Sequence, residues 1–240
     1  LKVADFGDVA CRNGDYTLTF HSIRERIGQI VDAGAFPITF GGDHSISYPI
    51  ISEIAKRYPK RVGILHFDAH LDNYSAFGED ELSRCSPFYK LYNDVNMDPS
   101  KIVHIGIRGP RNHKDEYANA QKYGAQVILA REVKENGWKA SIEKAIKTAF
   151  TNTDIVYVTI CSDSLDAACM PQGPQDMCGL SSYELCMMLH EAGLAGAKGF
   201  DFVEIYPNVL SYQTASHDAC WAALYYLNGA AEHQKRKMKK

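Results

Sequence analysis

Short apolar runs alternate with amphipathic stretches along almost the whole chain. Uninterrupted apolar runs, such as Val62–Leu65 and 155–158, are typical of strands buried on both faces of a parallel sheet. Between such runs, apolar residues recur every three or four positions, as at Ile23, Ile27 and Ile30, which predicts helices. The pattern predicts strands at 1–6, 36–40, 61–67, 101–107, 127–129, 154–160 and 199–205, and helices at 18–33, 45–58, 88–92, 114–123, 138–150, 181–192 and 214–227.

The regular alternation of strands and helices favours one fold class. Consecutive parallel strands need a crossover connection, which is usually a helix, so we expect a three-layer α/β/α fold with a mostly parallel sheet and helices on both faces. No internal repeat, low-complexity segment or Ser/Gly linker interrupts residues 1–240, so we expect a single domain. The chain begins at Leu1, without Met and inside a strand-like run, from which we expect that N-terminal residues are missing.

Side chains that can bind metals follow three of the predicted strands. Because the carboxyl ends of parallel strands share one edge of a sheet, where such folds bind their ligands, we expect these side chains to converge. Crowded carboxylates and an imidazole, as in the Asp-x-His-x-Asp run at 68–72, are unfavourable unless a cation neutralises them. Carboxylate and imidazole donors from several strands suit a pair of divalent ions, with Mn²⁺ the best match. The candidates are Asp43, His44, Asp68, His70, Asp72, Asp163 and Asp166.

The composition removes several functional classes from consideration. The net charge is only −3, so no overall field attracts nucleic acid or a membrane surface. The seven Cys residues are scattered without a CxxC pair, which indicates neither a disulfide framework nor a zinc knuckle and fits a reducing compartment. No apolar run approaches the roughly 18 residues of a membrane span. We therefore expect a cytoplasmic protein with no nucleic-acid or membrane partner.

Three segments, at 41–45 (Gly-Gly-Asp-His-Ser), 67–72 (Phe-Asp-Ala-His-Leu-Asp) and 202–207 (Phe-Val-Glu-Ile-Tyr-Pro), resemble the ureohydrolase family of arginases, agmatinases, guanidino-acid hydrolases and formiminoglutamases. The resemblance runs from the Asp-Phe-Gly-Asp at 5–8 over nearly the whole chain. It implies an arginase-like fold, a homotrimer or homohexamer, and a small guanidino or amidine substrate. It also implies that a hydroxide bridging two Mn²⁺ ions hydrolyses the C–N bond.

The resemblance assigns roles by position. Glu204 is expected to pair with the guanidinium or amidine group of the substrate, because a carboxylate matches a planar cation. Glu204 and Asp163 are thereby placed in the catalytic machinery. Two ion sites share one carboxylate: the first consists of His44, Asp68 and Asp72, and the second of His70, Asp163 and the shared Asp68.

Cys161 departs from the family pattern, because an Asp that bridges both ions normally stands at this position. Three outcomes remain open from the sequence. The thiolate could bridge the ions and favour Ni, Co, Fe or Zn over Mn²⁺, since sulfur is the softer donor. Cys161 could instead be a bystander beside one tightly held ion. The site could also be degenerate and the protein inactive.

Arg84 is a second departure. In agmatinase-like relatives a His that transfers protons stands in this loop, and Arg cannot release a proton near neutral pH. Arg84 is either a substrate-binding residue that pairs with a carboxylate, which favours a guanidino acid or formiminoglutamate over agmatine, or an exposed loop arginine. A third departure is the segment 170–176, where a different Pro/Gly turn replaces the usual Pro-Gly-Thr-Gly-Thr-Pro.

The sequence therefore predicts a metal-dependent hydrolase of a linear guanidino or amidine C–N bond, which releases urea, or formamide from a formimino compound. One alternative is a catalytically inactive or metal-poor relative with a binding or structural role, which the simultaneous loss of the bridging Asp and the proton-transferring His favours. Another is a metal-dependent hydrolase of the deacetylase type, but that reaction calls for a His pair that the sequence does not offer.

Overall fold

The computed structural model describes residues 1–170, 176–206 and 212–239. In this part of the chain a six-stranded sheet has the strand order β1-β6-β5-β2-β3-β4, and all neighbouring strands are parallel. The strands are β1 (Ile38–Phe40), β2 (Val62–Phe67), β3 (Ile102–Ile107), β4 (Gln126–Leu129), β5 (Ile155–Cys161) and β6 (Phe200–Val203).

Helices connect the strands and cover the sheet. They are α1 (Tyr16–Asp32), α2 (Ser47–Arg57), α3 (Pro87–Tyr92), α4 (Lys114–Tyr123), α5 (Ala130–Asn136), α6 (Trp138–Ala149), α7 (Ser182–Ala195) and α8 (Tyr212–Met238). Single turns of 3₁₀ helix lie at His44–Ile46, Pro99–Lys101 and Ser162–Ser164. None of the helices within the described ranges is long and apolar enough to cross a membrane.

Two apolar clusters lie on opposite faces of the sheet, because successive side chains of a strand point to opposite faces. On β2, Leu65 and Phe67 pack into a cluster with α6, α7 and α8. Val62 and Ile64 pack into a second cluster with α1, α2 and α3. The three-layer α/β/α arrangement expected from the alternating pattern is thereby confirmed.

The strand predicted at 1–6 is wrong, because the structure shows no strand there. Leu1, Val3 and Phe6 are 59%, 72% and 48% exposed, so this apolar run has no core against which to pack. The short helix Ala130–Asn136 was not predicted, since it offers few buried apolar positions. The helix predicted at 45–58 begins as a separate 3₁₀ turn, and that turn carries a candidate site residue.

Candidate active site

The turn after β1 brings His44 to the carboxyl edge of the sheet. Gly41 and Gly42 adopt φ values of +82° and +77°, in the left-handed region that favours glycine. Asp43 then caps the 3₁₀ turn by accepting from the backbone N–H of Ser45 at 2.9 Å. The turn therefore starts with His44, whose side chain is fully buried.

Asp68, directly after β2, presents its two carboxylate oxygens to two different histidines. Oδ2 lies 2.9 Å from Nδ1 of His44, and Oδ1 lies 3.4 Å from Nδ1 of His70. Oδ1 also accepts from the backbone N–H of His70 at 2.6 Å, which fixes the orientation of the buried carboxylate. This arrangement suits a carboxylate that two cations share.

Asp72 is a second carboxylate close to the same nitrogen of His44. Its Oδ2 lies 3.0 Å from Nδ1 of His44, and its φ of +46° is a left-handed conformation that costs a non-glycine residue about 1–2 kcal/mol. Nδ1 of His44 thus has two carboxylate oxygens close by but hydrogen-bond geometry to neither. An imidazole nitrogen directed between two carboxylates is an arrangement that a cation completes.

The end of β5, the strand next to β2, adds Cys161 and Asp163 to these residues. Oδ2 of Asp163 lies 3.1 Å from Nδ1 of His70, and Oδ1 accepts from the backbone N–H of Ala69 at 3.1 Å. Within the described ranges, two groups of metal-capable atoms form, with all the atoms of a group within 4.8 Å of one another. One group is His44, Asp68 and Cys161, and the other is Asp68, His70 and Asp163.

This crowding changes the protonation of the cluster. Burial and the negative charge of Asp68 raise the pKa of Asp72 to about 7 and the pKa of Asp163 to about 6. Burial opposes protonation of His70, but the carboxylates of Asp163 and Asp68 outweigh it and raise the pKa of His70 to about 11. Burial and the same two carboxylates raise the pKa of the Cys161 thiol. A divalent cation would displace these protons, because metal ligands bind in their deprotonated forms.

Glu204 lies on the same edge, after β6. Its φ of +60° is stabilised by two bonds, from its N–H to the Gly42 carbonyl at 3.0 Å and from the Ser162 hydroxyl to its own carbonyl at 2.6 Å. Oε1 accepts from the backbone N–H of His44 at 2.8 Å. A carboxylate that is 3% exposed therefore directly adjoins the metal-capable residues.

Arg84 supplies a positive charge to this buried carboxylate. Its Nη1 lies 3.3 Å from Oε2 of Glu204 and also donates to the hydroxyl of Tyr206, which in turn donates to Oε2. The side chain of Arg84 is 52% exposed, against 2% for Glu204. The guanidinium of Arg84 therefore covers the solvent side of the carboxylate that the sequence assigned to the substrate.

Two members of the predicted cluster lie outside it. The carboxylate of Asp43 caps the 3₁₀ turn that starts at His44. Asp166 accepts from the backbone N–H groups of Ala168 at 3.0 Å and Gly179 at 2.9 Å, within the loop after β5. The expectation that these two join the cluster does not hold, because short Asp side chains readily satisfy nearby backbone N–H groups in turns.

Two side chains behind the site were not anticipated. Oδ2 of Asp176 lies 2.8 Å from Nε2 of His70. Arg108, which directly follows β3, donates to the backbone carbonyl of Asp163 at 2.7 Å and so stabilises the loop after β5. Arg108 could have been predicted as a site residue, because it directly follows a predicted strand. Asp176 ends the Pro/Gly segment noted in the sequence, of which 171–175 lie outside the described residues.

The donor set fits divalent cations. Two buried atoms at the centre of the site, Nδ1 of His44 and Oδ2 of Asp163, have no hydrogen-bond partner. Buried polar atoms are rarely left unpaired in proteins, so each orphan calls for a ligand. The carboxylates and imidazoles suit a harder ion such as Mn²⁺, whereas the sulfur of Cys161 suits a softer one.

A parallel sheet between two helical layers, with carboxylate and imidazole donors at its carboxyl edge, places this chain among α/β proteins with a candidate metal site. Comparison with known proteins makes this more specific. The family model described as the arginase family matches residues 1–227, so the chain belongs to the arginase family. The family resemblance drawn from the three sequence motifs is thereby confirmed.

The similar proteins include a guanidino acid hydrolase, an agmatinase and a formimidoylglutamase. A mitochondrial guanidino acid hydrolase from Homo sapiens is 31% identical over 93% of this chain, and an agmatinase from Chromobacterium violaceum is 32% identical over 92% of it. This chain spans 62% and 67% of the lengths of those two proteins. The structure of formimidoylglutamase from Bacillus subtilis shares the fold with a TM-score of 0.89 at 24% identity, covering 94% of this chain and 71% of that one.

Proposed function

We propose that this chain is a metal-dependent hydrolase that cleaves a C–N bond of a linear guanidino or amidino compound. The observation that carries the proposal is the pair of metal-capable groups that share Asp68, with the buried carboxylate of Glu204 beside them. The names of the relatives at 31–32% identity agree with this chemistry.

Two divalent ions would be held by this cluster. His44, Asp68, Asp72 and Cys161 would hold the first, and His70, Asp163 and the shared Asp68 the second. Mn²⁺ suits the second group, and the sulfur of Cys161 shifts the preference of the first toward Co²⁺ or Zn²⁺. Bound there, such ions supply Lewis-acid chemistry and a nucleophile from water.

Glu204 orients the substrate. Its Oε1 is held by the backbone N–H of His44, so its carboxylate has a fixed direction relative to the metal-capable residues. A planar guanidinium or amidinium that pairs with Oε2 would lie next to those residues, with its carbon close to them. The residue therefore lowers the barrier by positioning, and it does not transfer a proton in this proposal.

Arg84 favours a substrate that carries a carboxylate of its own. Glu204 is buried and already balanced by Arg84, so a second guanidinium alone would place two positive charges on one carboxylate. A guanidino acid exchanges the pairs, because its guanidinium takes Glu204 while its carboxylate takes the half-exposed Arg84. We therefore propose a guanidino acid, cleaved to urea and an amino acid, in preference to agmatine.

The test is a substrate panel with the metal content measured in parallel. Protein loaded with Mn²⁺, Co²⁺, Ni²⁺, Fe²⁺ or Zn²⁺ is incubated with guanidino acids of different chain length, agmatine and formiminoglutamate, and urea, formamide and amine are assayed. Turnover of a guanidino acid with about two ions bound per chain is expected. Absence of turnover with every ion would overturn the proposal, and absence of bound metal would indicate the inactive relative instead.

Cellular location and assembly remain predictions. The scattered cysteines favour a reducing compartment such as the cytoplasm. The family resemblance implies a homotrimer or homohexamer, which light scattering of the purified protein would measure.

A further inference from the structure

A row of buried polar side chains crosses four neighbouring strands, shortly before the strand ends that form the site. His104 on β3, His66 on β2, Thr159 on β5 and Asp201 on β6 are successive register partners, and all four are fully buried. They point to the face covered by α1, α2 and α3, where the layer below is apolar. Burying polar groups is costly unless each is hydrogen-bonded, so each of these four side chains requires a partner.

On the β2 side the row forms a chain of hydrogen bonds that ends at Asp68. Nε2 of His66 lies 2.9 Å from Oδ2 of Asp68, and Nδ1 of His66 lies 2.7 Å from Nδ1 of His104. Nε2 of His104 lies 2.6 Å from the hydroxyl of Tyr92. Asn73 Nδ2 approaches the same hydroxyl at 3.5 Å.

Counting donors fixes the direction of this chain. The Asp68 carboxylate only accepts, so Nε2 of His66 carries a hydrogen and, in a neutral ring, its Nδ1 must accept. Nδ1 of His104 therefore donates to His66, which leaves Nε2 of His104 to accept from the Tyr92 hydroxyl. Each proton points toward Asp68.

The other half of the row supports His44 in the same way. The Thr159 hydroxyl gives its single hydrogen to Asp201, so it accepts from Nε2 of His44 at 3.1 Å, and in a neutral ring Nδ1 of His44 then keeps its lone pair for a cation. That hydroxyl donates to Asp201 at 2.6 Å, and Asp201 also accepts from Ser47 at 3.0 Å. Both halves thus orient donors of the same candidate metal site.

We propose that His66 is a positioning residue for the metal site, fixed as an Nε2–H donor to Asp68 by the chain Tyr92–His104–His66. The donated hydrogen holds Oδ2 of Asp68 toward His44 while Oδ1 stays directed toward His70. Outer partners of this kind tune metal affinity because they orient the ligand and set its basicity. The inference rests on the metal site of the proposed function, and its test needs no substrate.

A purely structural role makes a different prediction. The His66 ring stacks on Phe88 with centroids 3.9 Å apart, so any replacement disturbs packing as well as the hydrogen bond. A packing role would lower thermal stability without fixing the tautomer or changing metal affinity in the protein that remains folded. The tautomers of the two rings and the metal affinity separate these roles.

The first readout is the tautomer of each ring, from ¹⁵N spectra of histidine-labelled protein with and without Zn²⁺. The proposal requires the Nε2–H tautomer for His66 and the Nδ1–H tautomer for His104. The opposite assignment for either ring would overturn it. Because no turnover is measured, a protein that proves to be inactive still gives a decisive answer.

The second readout is metal affinity, measured by competition with a chelating indicator. His66→Phe removes the donor and should weaken binding about 10–100-fold. His66→Gln keeps an N–H donor and should stay near wild type, and Tyr92→Phe should give a smaller loss from a distance. Tyr226→Phe is the control, since its buried hydroxyl bonds the backbone near β6, at Ala197 and Gly199.

The outcomes are distinct. If His66→Phe fails to fold, the comparison of Tyr92→Phe with Tyr226→Phe tests the proposal, because each of these variants loses one buried hydroxyl. Equal metal affinity in these two variants would overturn the proposal. Weaker affinity in Tyr92→Phe alone, with similar losses of thermal stability in both, would establish it.

Discussion

The ends of the neighbouring strands β2 and β5 lie side by side at the site, and their donors differ in kind. At the end of β2, both carboxylate oxygens of Asp68 have partners, and His66 supports one of them from below. At the end of β5, the Cys161 thiol stands beside Asp163, and burial together with the nearby carboxylates raises its pKa. From this comparison we expect the β2 end to determine whether a cation binds and the β5 end to determine which cation binds.

The largest effect is expected at the β2 end. Asp68→Asn keeps the shape of the side chain but removes the charge that both groups of donors share. We expect loss of bound metal and a fall in turnover of about a thousandfold or more, equivalent to about 4 kcal/mol. Metal analysis of the purified variant and initial rates with a guanidino acid are the measurements.

Asp43→Asn is the matched control for that variant. Asp43 lies on the same edge of the sheet, but it only caps the 3₁₀ turn. The control should bind metal normally and lose about 1 kcal/mol of stability at most. Equal loss of metal in both variants would show that the edge responds to its total charge and that Asp68 has no special role.

At the β5 end, Cys161→Asp should change the choice of ion. A carboxylate is a harder donor than a thiolate, so Mn²⁺ should gain affinity relative to Zn²⁺. Loss of a residue that only orients a metal ligand changes metal affinity by about 10–100-fold. Replacing a ligand itself should therefore shift the ratio of Mn²⁺ affinity to Zn²⁺ affinity by about a hundredfold. The ratio is measured by competition with a chelating indicator.

Cys161→Ser tells a ligand from a bystander, because it removes the sulfur without adding a charge. If Cys161 binds the ion, Co²⁺-loaded wild type shows a sulfur-to-cobalt absorption band that both variants lack. An unchanged Zn²⁺-to-Mn²⁺ ratio in Cys161→Asp, together with no such band in the wild type, would exclude Cys161 from the ligands.

The residues whose convergence was easiest to predict are those close together along the chain. Asp68, His70 and Asp72 stand in one short run after a strand, so their convergence follows from local geometry. The parallel sheet was predictable for the same reason, because the alternation of strands and helices is a local pattern along the chain. The apolar run at 1–6 misled because an apolar pattern reports a preference for burial, and these side chains have no surface to bury against.

The residues that sequence reasoning missed depend on which strands lie side by side. His66 and His104 are 38 residues apart and meet only because β2 and β3 pair in that register. Arg84 and Glu204 were both candidates, but their contact was not predicted, because they are 120 residues apart and meet through a loop that no periodicity describes. Long-range pairing of single polar side chains leaves no local pattern, so only the three-dimensional structure reveals it.

Arg84 extends the comparison from the metal donors to the substrate side of the site. Arg84→Ala removes the expected partner of a substrate carboxylate, and a hydrogen-bonded charge pair contributes about 1.5–3 kcal/mol. We expect kcat/KM for a guanidino acid to fall about thirtyfold, mostly through KM, while agmatine gains relative to it. Arg84→Lys keeps the charge but loses the planar fork, so it should recover part of the effect. A uniform fall for both substrates would contradict the carboxylate-binding role.

The smallest expected effect lies behind His70. Asp176 stands 2.8 Å from Nε2 of His70, on the side opposite the nitrogen that faces Asp163. Asp176→Asn removes the charge that favours a hydrogen on Nε2, so Nδ1 becomes a poorer donor to a cation. Affinity for the second ion should fall about tenfold, the lower end of the range for such partners. Titration of the two ions in sequence should show a weakened second step and an unchanged first. If both steps weaken equally, the two donor groups respond as one unit, and separate roles for His44 and His70 in two ion sites would be contradicted.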